Sequence, residues 1–273
     1  MAYLDRKNNR LIYIFEKADS NYWDKKWIKD LKTKKNDLSS KIDLLVVPTT
    51  KKYLRRGSKI LEGGCGHGTN VLRLQNAGYR CTGIDFAKKT INTLKKVYPN
   101  SDFRSGDVRK LPFPREAFDG YWSLGVIEHF YSGYENILTE MHRVLKRGGY
   151  VFATFPYMSP LRRIKAKMKM YSKKKFRGVP KNFYQFALDE DKVIMAFRRK
   201  GFTLVMKKPY DGVSGLRKEL SFLRFVLNPL SKYSKKYLFV AGIRFILSKI
   251  TEKFASHSIL LVFKKKSLLN VKS

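Results

Sequence analysis

The sequence is poor in cysteine, and that scarcity excludes several kinds of site. Cys65 and Cys81 are the only cysteines in 273 residues, and their spacing suits neither a zinc site nor a disulfide framework. Such sparse use of cysteine is typical of a reducing compartment, so we expect a cytoplasmic protein. The first residues lack the apolar segment of a secretory signal, and we therefore expect no export.

Long apolar runs are also missing. The longest one, residues 237–247, is interrupted by Arg244 and is shorter than the ~20 apolar residues of a spanning helix. The sequence therefore predicts no transmembrane helix. With 43% hydrophobic and 14% aromatic residues, the chain can still bury a core without help from a metal or a disulfide.

Acidic residues are scarce beside basic ones, 22 against 58, which gives a formal net charge of +36. Residues 1–155 hold 29 basic and 16 acidic side chains, whereas residues 156–273 hold 29 and 6. Residues 156–188 contain ten basic side chains and no acidic one. Two explanations remain open, a lysine-rich composition without function or contact with a polyanionic surface of lipid or nucleic acid.

Short apolar runs alternate with amphipathic helical stretches between residues 58 and 155. The predicted strands are 59–61, 80–84, 102–104, 118–124 and 150–155, and the predicted helices are 69–77, 91–98 and 137–147. Such repeated strand-helix units indicate a parallel sheet with helices on both faces. The sequence therefore predicts an α/β fold.

The remaining elements predict the domain organisation. They are helices at 22–31, 41–54 and 189–199, strands at 202–207 and 258–263, and basic amphipathic helices at 216–227 and 237–250. We expect an N-terminal helical extension over residues 1–57. A catalytic domain is expected over residues 58–273, with basic insertions at 156–188 and 209–256.

A glycine-rich segment, K-I-L-E-G-G-C-G-H-G, follows the first predicted strand of this domain at residues 59–68. The dinucleotide fingerprint G-x-G-x-x-G fails because Thr69 stands where its third glycine is needed. The Walker pattern fails because no Gly-Lys-Ser/Thr closes the loop. The pattern that fits is acid-x-G-x-G-x-G, in which the acid is Glu62 and the glycines are Gly64, Gly66 and Gly68.

Four further motifs follow in order: G-I-D-F, with Asp85 at the end of a predicted strand; G-D-V-R-K-L-P-F, with Asp107; F-D-G-Y-W-S-L-G-V-I-E-H-F; and E-M-H-R-V-L-K-R-G-G-Y. Together with the glycine loop they resemble the class I S-adenosylmethionine-dependent methyltransferases, most closely the small-molecule branch of the ubiquinone/menaquinone type. The resemblance covers residues 58–156 well and residues 183–212 weakly. It implies a Rossmann-like, mostly parallel seven-stranded sheet with an antiparallel last strand, and S-adenosylmethionine as cofactor.

The resemblance also implies the roles of individual residues. Glycines let the backbone approach the methionine end of the cofactor, and Glu62 would help to bind that end. Asp85 could accept both ribose hydroxyls, Phe86 could pack on adenine, and Asp107 with the Val108 amide would bind the adenine edge. The predicted cofactor site comprises Glu62, Gly63, Gly64, Cys65, Gly66, Gly68, Asp85, Phe86, Asp107, Val108 and Ser123, although Cys65 also fits a small buried filler without chemistry.

Methyl transfer to a hydroxyl or carbon acid needs a general base near the end of the fourth strand, where Glu128 and His129 follow. We predict His129 as that base, with Glu128 beside it; lining the pocket or capping the next segment is the alternative role for His129. The sequence lacks both the N/D-P-P-Y/F turn of amino-group methylation and the Pro-Cys pair of cytosine C5 methylation. A small-molecule or lipid-like acceptor is therefore expected.

The basic helices at 216–227 and 237–250 leave three uses open: to cover the active site, to lie on an anionic membrane, or to contact RNA. The function predicted is methyl transfer from S-adenosylmethionine to a small or lipid-like acceptor. The alternatives are an RNA methyltransferase, or a basic RNA- or membrane-binding protein that keeps the scaffold without turnover.

Overall fold

The computed structural model describes residues 2–33, 43–172, 174, 176, 178–233 and 237–267. The strands are β1 (Ala2–Asp5), β2 (Arg10–Ile14), β3 (Lys59–Gly63), β4 (Arg80–Asp85), β5 (Asp102–Ser105), β6 (Phe118–Leu124), β7 (Leu145–Pro156), β8 (Phe183–Ala187), β9 (Phe202–Tyr210) and β10 (Ser258–Lys265). The helices are α1 (Ser20–Thr33), α2 (Asp43–Tyr53), α3 (Thr69–Asn76), α4 (Lys88–Val97), α5 (Glu135–Val144), α6 (Pro160–Lys167), α7 (Glu190–Arg199), α8 (Gly212–Glu219), α9 (Arg224–Tyr233) and α10 (Leu238–Ala255). Short 3₁₀ turns cover Ile127–His129 and Ser221–Leu223.

Seven strands form the central sheet, in the order β5-β4-β3-β6-β7-β10-β9. Strands β3 to β7 pair in parallel, whereas β10 runs antiparallel to both β7 and β9. This confirms the predicted α/β class, including the antiparallel last strand. The strand order reverses between β3 and β6, and in such sheets ligands bind at the carboxyl ends of the strands beside that point.

The apolar periodicity of the sequence becomes two layers of core, one on each face of this sheet. Helix α5 buries Ile137, Leu138 and Met141 on one face, and helix α3 buries Val71 and Leu74 on the other. Fully burying one such side chain stabilises the fold by about 1.5–3 kcal/mol. The sheet is therefore a rigid platform for the loops at its carboxyl edge.

The N-terminal extension was expected to be helical, but it begins with the hairpin β1–β2. Strand β2 pairs with β8, which lies in the segment expected to be a basic insertion, and the three strands form a second sheet. The hairpin turns at Asn8-Asn9, where Asn9 has a left-handed φ of 50°, a conformation that asparagine tolerates. Only helices were predicted for residues 1–57, so this sheet corrects that prediction.

Two other predicted helices also end differently in the structure. Helix α5 ends at Val144 and β7 starts at Leu145. Lys146 and Arg147, at the end of the helix predicted over 137–147, therefore belong to a strand. The helix predicted over 216–227 breaks at Leu220, whose φ of −115° and ψ of 95° are extended. Helix α2 confirms the prediction for 41–54 from Asp43 onward, whereas residues 41–42 lie outside the described part of the chain.

Candidate active site

A cavity of about 530 Å³ lies at the carboxyl edge of the parallel strands. Residues at or just after the ends of all five of these strands line it: Gly64, Asp85, Gly106, Leu124 and Pro156. The sheet topology alone therefore gathers segments that are far apart in sequence. Asp85 and Asp107 both line this cavity, so the two carboxylates predicted to share a pocket do share one.

The glycine loop crosses the floor of the cavity and is tied to the neighbouring strand. The amides of Gly64 and Cys65 donate to the carbonyl of Ile84 over 2.8 and 3.1 Å. Gly64 has φ +75°, and a Cβ there would lie 2.5 Å from Val126 Cγ2. A side chain at Gly64 would thus be strained as well as obstructed, which leaves bare backbone at the cavity wall.

Asp85 ends β4 and holds the glycine loop in place. Its Oδ2 accepts from the Gly66 amide and its Oδ1 from the Ala87 amide, both over 2.9 Å. Burial raises the pKa of Asp85, and these backbone hydrogen bonds oppose the rise. Each carboxylate oxygen has two lone pairs, so the group retains acceptor capacity on its cavity side.

Asp107 lies in the loop after β5 and pairs with Arg109. The guanidinium donates to Asp107 Oδ2 over 2.6 Å, and the Arg109 amide donates to Oδ1 over 2.8 Å. Burial alone would raise the pKa of Asp107, but the hydrogen bonds from Arg109 bring it below its usual value. Asp107 therefore stays ionised and acts only as an acceptor at the cavity.

Glu62 is buried beneath the glycine loop and does not line the cavity. Its Oε1 accepts from Asn70 Nδ2 over 3.3 Å, whereas its Oε2 is buried without a hydrogen-bond partner. Its hydrogen-bond partners are Asn70 and the Val71 amide in the first turns of α3. Burial raises its pKa to about 8, so its carboxyl is mostly protonated at neutral pH, and a cation beside it would favour the ionised form.

Glu128 and His129 occupy the 3₁₀ turn after β6 and line the cavity. Burial raises the pKa of Glu128 to about 8, so its carboxyl is mostly protonated at neutral pH. Burial lowers the pKa of His129 to about 4, so its imidazole is neutral. His129 Nδ1 lies 2.6 Å from the carbonyl of Tyr184; a carbonyl only accepts, so Nδ1 carries the proton and Nε2 is the acceptor.

Aromatic residues from the N-terminal elements cover the cavity, and sequence reasoning missed them. Trp23 and Trp27 of α1 stack at 5.2 Å, and Lys26 Nζ lies 4.6 Å from the centre of the Trp23 ring. Tyr184 of β8 completes this wall beside His129. The available signal was the i, i+4 spacing of the two tryptophans, which places both on one face of a helix.

A further part of the cavity lining comes from the segments around the last two strands. It consists of Tyr210, Lys218, His257 and Ser258. The insertion predicted at 209–256 thus contributes to the cavity through α8, which carries Lys218. None of the residues of α9 or α10 lines the cavity. Of the three uses left open for residues 237–250, α10 therefore does not serve to cover the active site.

The predicted site residues divide into two groups. Those that line the cavity are Gly64, Asp85, Phe86, Asp107, Val108, Glu128 and His129. Those that lie behind it are Glu62, Gly63, Cys65, Gly66, Gly68 and Ser123. Close packing explains one of the glycines behind the cavity, because a Cβ at Gly63 would meet Tyr121 Oη at 1.9 Å. Cys65 is a buried core residue, and no cluster of metal ligands occurs among the described residues.

The cavity fits a nucleoside-type ligand with a cationic end. Buried Glu62 Oε2 lacks a partner, a backbone without side chains faces the cavity at Gly64, and two carboxylates from successive strands point to the same space. These groups match the ammonium, sulfonium and hydroxyl groups of S-adenosylmethionine. The residues present therefore suit the cofactor that the sequence motifs imply.

Comparison with known proteins gives the family. Residues 61–153 match the family model of the methyltransferase domain. A probable S-adenosylmethionine-dependent methyltransferase of Mycolicibacterium smegmatis is 31% identical over 100 residues, which cover 37% of this chain and 38% of that protein. The phthiotriol/phenolphthiotriol dimycocerosates methyltransferase of Mycobacterium tuberculosis is 37% identical over 107 residues, 37% of each chain. The aligned region thus spans well under half the length of the curated relatives.

Solved structures extend the likeness of fold over nearly the whole chain. A Burkholderia thailandensis 1,6-didemethyltoxoflavin-N1-methyltransferase, solved with S-adenosylhomocysteine, aligns over 97% of this chain and 98% of its own, with TM-score 0.55 and 14% identity. The [4+2]-cyclase SpnF aligns over 93% and 98%, with TM-score 0.57 and 19% identity. The fold is therefore shared by methyltransferases and by a cyclase. The family match at residues 61–153 and this shared fold support a class I S-adenosylmethionine-dependent methyltransferase domain in this chain.

Proposed function

We propose that this protein transfers a methyl group from S-adenosylmethionine to a small, lipid-like acceptor. The observation that carries the proposal is the single cavity that joins Gly64, Asp85 and Asp107 with Glu128 and His129. In the proposed arrangement Asp85 accepts the ribose hydroxyls, Asp107 and the Val108 amide bind the adenine edge, and Phe86 packs on adenine. Glu62 and the glycine loop hold the methionine end.

When bound, the cofactor supplies an electrophilic methyl carbon on a sulfonium. The protein's own contribution is to align the acceptor with that carbon and to exclude water, which can account for most of the acceleration of such a displacement. Trp23, Trp27 and Tyr184 suit this task because they close one side of the cavity with apolar surface. His129 is neutral with Nε2 as its acceptor, but a pKa of about 4 makes it a weak base.

The acceptor class is supported by the apolar cover and by the relatives. The relatives include an enzyme named for phthiotriol dimycocerosates, a fatty-acid O-methyltransferase and a malonyl-[acyl-carrier protein] O-methyltransferase. Their names share acceptors that carry long chains or acyl groups. We propose the same broad class here, with residues 1–57 and the insertions at 156–188 and 209–256 shaping the acceptor side of a catalytic domain over 58–273.

A methyl-transfer assay tests this function. We expect radiolabel from methyl-tritiated S-adenosylmethionine to enter the organic phase with at least one of three probes: a long-chain fatty acid, a long-chain secondary alcohol and a long-chain phenol. S-adenosylhomocysteine should abolish this incorporation. Binding of S-adenosylhomocysteine without transfer to any of the three would contradict the lipid-like acceptor, and would favour the scaffold without turnover.

We further propose that α9 and α10 dock the protein on an anionic bilayer. No helix among the described residues has the length and apolar content needed to span a membrane. The two helices nevertheless expose large apolar side chains, with Leu238 93%, Phe239 79% and Phe225 78% accessible. We call this surface the cap surface; it consists of Phe222, Phe225, Val226, Leu238, Phe239, Phe245, Ile246 and Ile250.

The cap surface is fixed to the domain on one side and is bordered by positive charge. Helix α10 packs tightly on α8, because a Cβ at Gly215 would lie 1.5 Å from the carbonyl oxygen of Ala255. Exposed basic residues lie among the apolar ones, namely Arg224, Lys232, Lys249 and Lys253. Apolar side chains beside basic ones suit the interface of an anionic membrane, and such docking would bring a cytoplasmic enzyme to lipid-like acceptors.

Vesicle binding tests the docking. We expect sedimentation with phosphatidylserine-containing vesicles at low salt, weaker binding at high salt, and much less binding to neutral vesicles. Replacing Phe225 and Phe239 together by aspartate should weaken binding about tenfold or more, since each buried phenylalanine contributes about 1.5–3 kcal/mol. The matched control is Val97→Asp on α4, an exposed apolar residue away from the cap surface. If the double variant binds as the wild type does, or if only RNA binds, docking by this surface is wrong.

A further inference from the structure

A polar cluster at the edge of the cavity joins α6, α8 and the residue before β10. Arg162 Nη2 lies 2.7 Å from His257 Nδ1, and Lys218 Nζ lies 2.6 Å from His257 Nε2. Lys218 and His257 line the cavity, whereas Arg162 is fully buried behind them. One imidazole ring is therefore flanked by two groups that are ordinarily cationic.

Hydrogen-bond directions in this cluster constrain the proton on Lys218. A guanidinium can only donate, so His257 Nδ1 must accept from Arg162. A neutral imidazole has one N–H, and that N–H must then be on Nε2. An ammonium cannot accept a hydrogen bond. The 2.6 Å contact between His257 Nε2 and Lys218 Nζ is thus a hydrogen bond only if Lys218 is a neutral amine.

The charges around Lys218 act in the same direction. Although the Lys218 residue as a whole is exposed, desolvation of its ammonium is the main cause that lowers its pKa to about 8, and the charges of Arg162 and Arg217 lower it further, against Asp211 and Glu219. Burial and the same arginines with Lys218 also place the pKa of His257 well below its usual value, so the ring between them is neutral. Donation from His257 to the amine favours the uncharged form of Lys218 still more.

We propose that Lys218 is the general base that takes the proton of the methyl acceptor; this rests on the proposed function. The bond formed joins the acceptor atom to the methyl carbon, and the carbon–sulfur bond breaks with its electron pair left on sulfur. The acceptor's proton passes to Lys218 Nζ, which becomes an ammonium. The single lone pair of the amine accepts from His257 Nε2 at rest, so Lys218 turns it toward the cavity before it takes the proton, and the ammonium that forms no longer faces the His257 donor. The acceptor is accordingly a hydroxyl, an amine or an acidic carbon, because a carboxylate has no proton to lose.

Lys218 is better suited to this task than His129. Proton transfer is most effective when the pKa of the base lies near the working pH. Lys218, at about 8, meets that condition more closely than His129, at about 4. Both residues line the same cavity, so His129 would position the acceptor while Lys218 accepts its proton.

Competitive acetylation with trace acetic anhydride, read by mass spectrometry across pH, measures the protonation of Lys218 without any turnover. We expect Lys218 to titrate near pH 8, well below the ordinary lysine value of about 10.4. In His257→Phe the titration of Lys218 should move upward, because its hydrogen-bond donor is lost. Titration of Lys218 near the ordinary lysine value of about 10.4 in the wild type would overturn the proposal.

Turnover supplies the second test. With the alcohol or phenol probe, the rate should rise with pH through about 8 and fall at least about 100-fold in Lys218→Met and Lys218→Arg. The control Lys96→Met, at an exposed position on α4, should keep the wild-type activity. A rate that does not change with pH, or that survives in both Lys218 variants, would overturn the role as base. Calorimetry with S-adenosylhomocysteine separates the two proposals, because Lys218→Met should bind it normally, whereas failure of the wild type to bind would refute the function itself.

Discussion

Replacing Arg162 by methionine is expected to lower the free energy of unfolding by about 3–5 kcal/mol, because the change leaves a buried carboxylate without its main counter-charge. Arg162 Nε donates to Glu219 Oε1 over 2.7 Å, with side-chain exposures of 0% and 5%. Its Nη1 donates to the carbonyls of Tyr157 and His257 over 2.7 and 3.0 Å. One side chain therefore joins α6, α8 and the start of β10.

The pKa of Glu219 shows which partner keeps it ionised. Burial would raise that pKa, but the charge of Arg162 and the hydrogen bonds from Tyr171, Arg162 and Lys165 hold it below its usual value. A lowered carboxyl pKa contributes stability above the unfolded pKa, and this contribution is lost as the pH falls through the folded value. The difference between wild type and Arg162→Met should therefore be full at pH 7 and shrink at acidic pH.

Urea unfolding at pH 7 measures this effect. The matched control is Arg104→Met, whose ion pair with Asp102 is 2.9 Å long but about half exposed, and which should change stability by less than about 1 kcal/mol. The double variant Arg162→Met, Glu219→Leu should recover much of the loss, since an apolar pair can replace a buried ion pair. An Arg162→Met protein as stable as the Arg104→Met protein would show that Arg162 does not hold α6 and α8 to the start of β10.

The second large effect is expected at Asp85. Asp85→Asn should weaken binding of S-adenosylhomocysteine about 10–100-fold, since a charged group's hydrogen bonds contribute roughly 1.5–3 kcal/mol. The substitution keeps the size of the side chain and leaves one oxygen for the Ala87 amide. It removes the negative charge to which the ribose hydroxyls would donate, and it replaces the second oxygen by an NH₂ group, which can only donate. The loop that Asp85 holds through Gly66 would loosen as well.

Calorimetric titration compares Asp85→Asn with Asp102→Asn. Asp102 lies on the adjacent strand β5, but its partners are Thr82 and Arg104 and it does not line the cavity. We expect the Asp102 variant to bind within about twofold of the wild type. Equal affinities for the two variants would remove Asp85 from the cofactor site.

The sequence predicted those parts of the molecule that depend on local patterns. The five parallel strands, the helices between them and the glycine loop follow from apolar period, glycine spacing and chain order, and parallel strands bring their ends to one edge without further information. For this reason Asp85 and Asp107, twenty-two positions apart, could be placed in one cavity before the structure was known. The antiparallel β10 came from the family resemblance and not from its own residues.

The parts that could not be predicted depend on contacts between distant segments. Arg162, Lys218 and His257 meet across sequence separations of 95 and 39 residues, and no local pattern encodes such a meeting. The hairpin β1–β2 was not predicted, because its two strands are short and the longer helical patterns that follow dominate residues 1–57. The asparagines Asn8-Asn9 between the strands are nevertheless a turn signal. The break at Leu220 was not predicted, because Leu216, Leu220, Leu223 and Leu227 have helical spacing and this pattern indicates one continuous helix. The bend is imposed by tertiary packing, which the local pattern does not contain.

The protonation of the site residues was also beyond the sequence. His129 was predicted as a base from the ordinary pKa of histidine, but burial against Trp23 and Tyr184 lowers that pKa to about 4. Lys218 was seen only as part of a basic segment. Burial and neighbouring charge decide which group can take a proton at neutral pH, and both are properties of the folded chain.

Isothermal titration of the wild-type protein with S-adenosylhomocysteine tests the central claim most directly. The account predicts one site per chain with a micromolar dissociation constant, weakened in Asp85→Asn and unaffected in Asp102→Asn. Absence of binding at millimolar ligand, with the protein shown to be folded, would contradict the assignment of this cavity to the methyl donor.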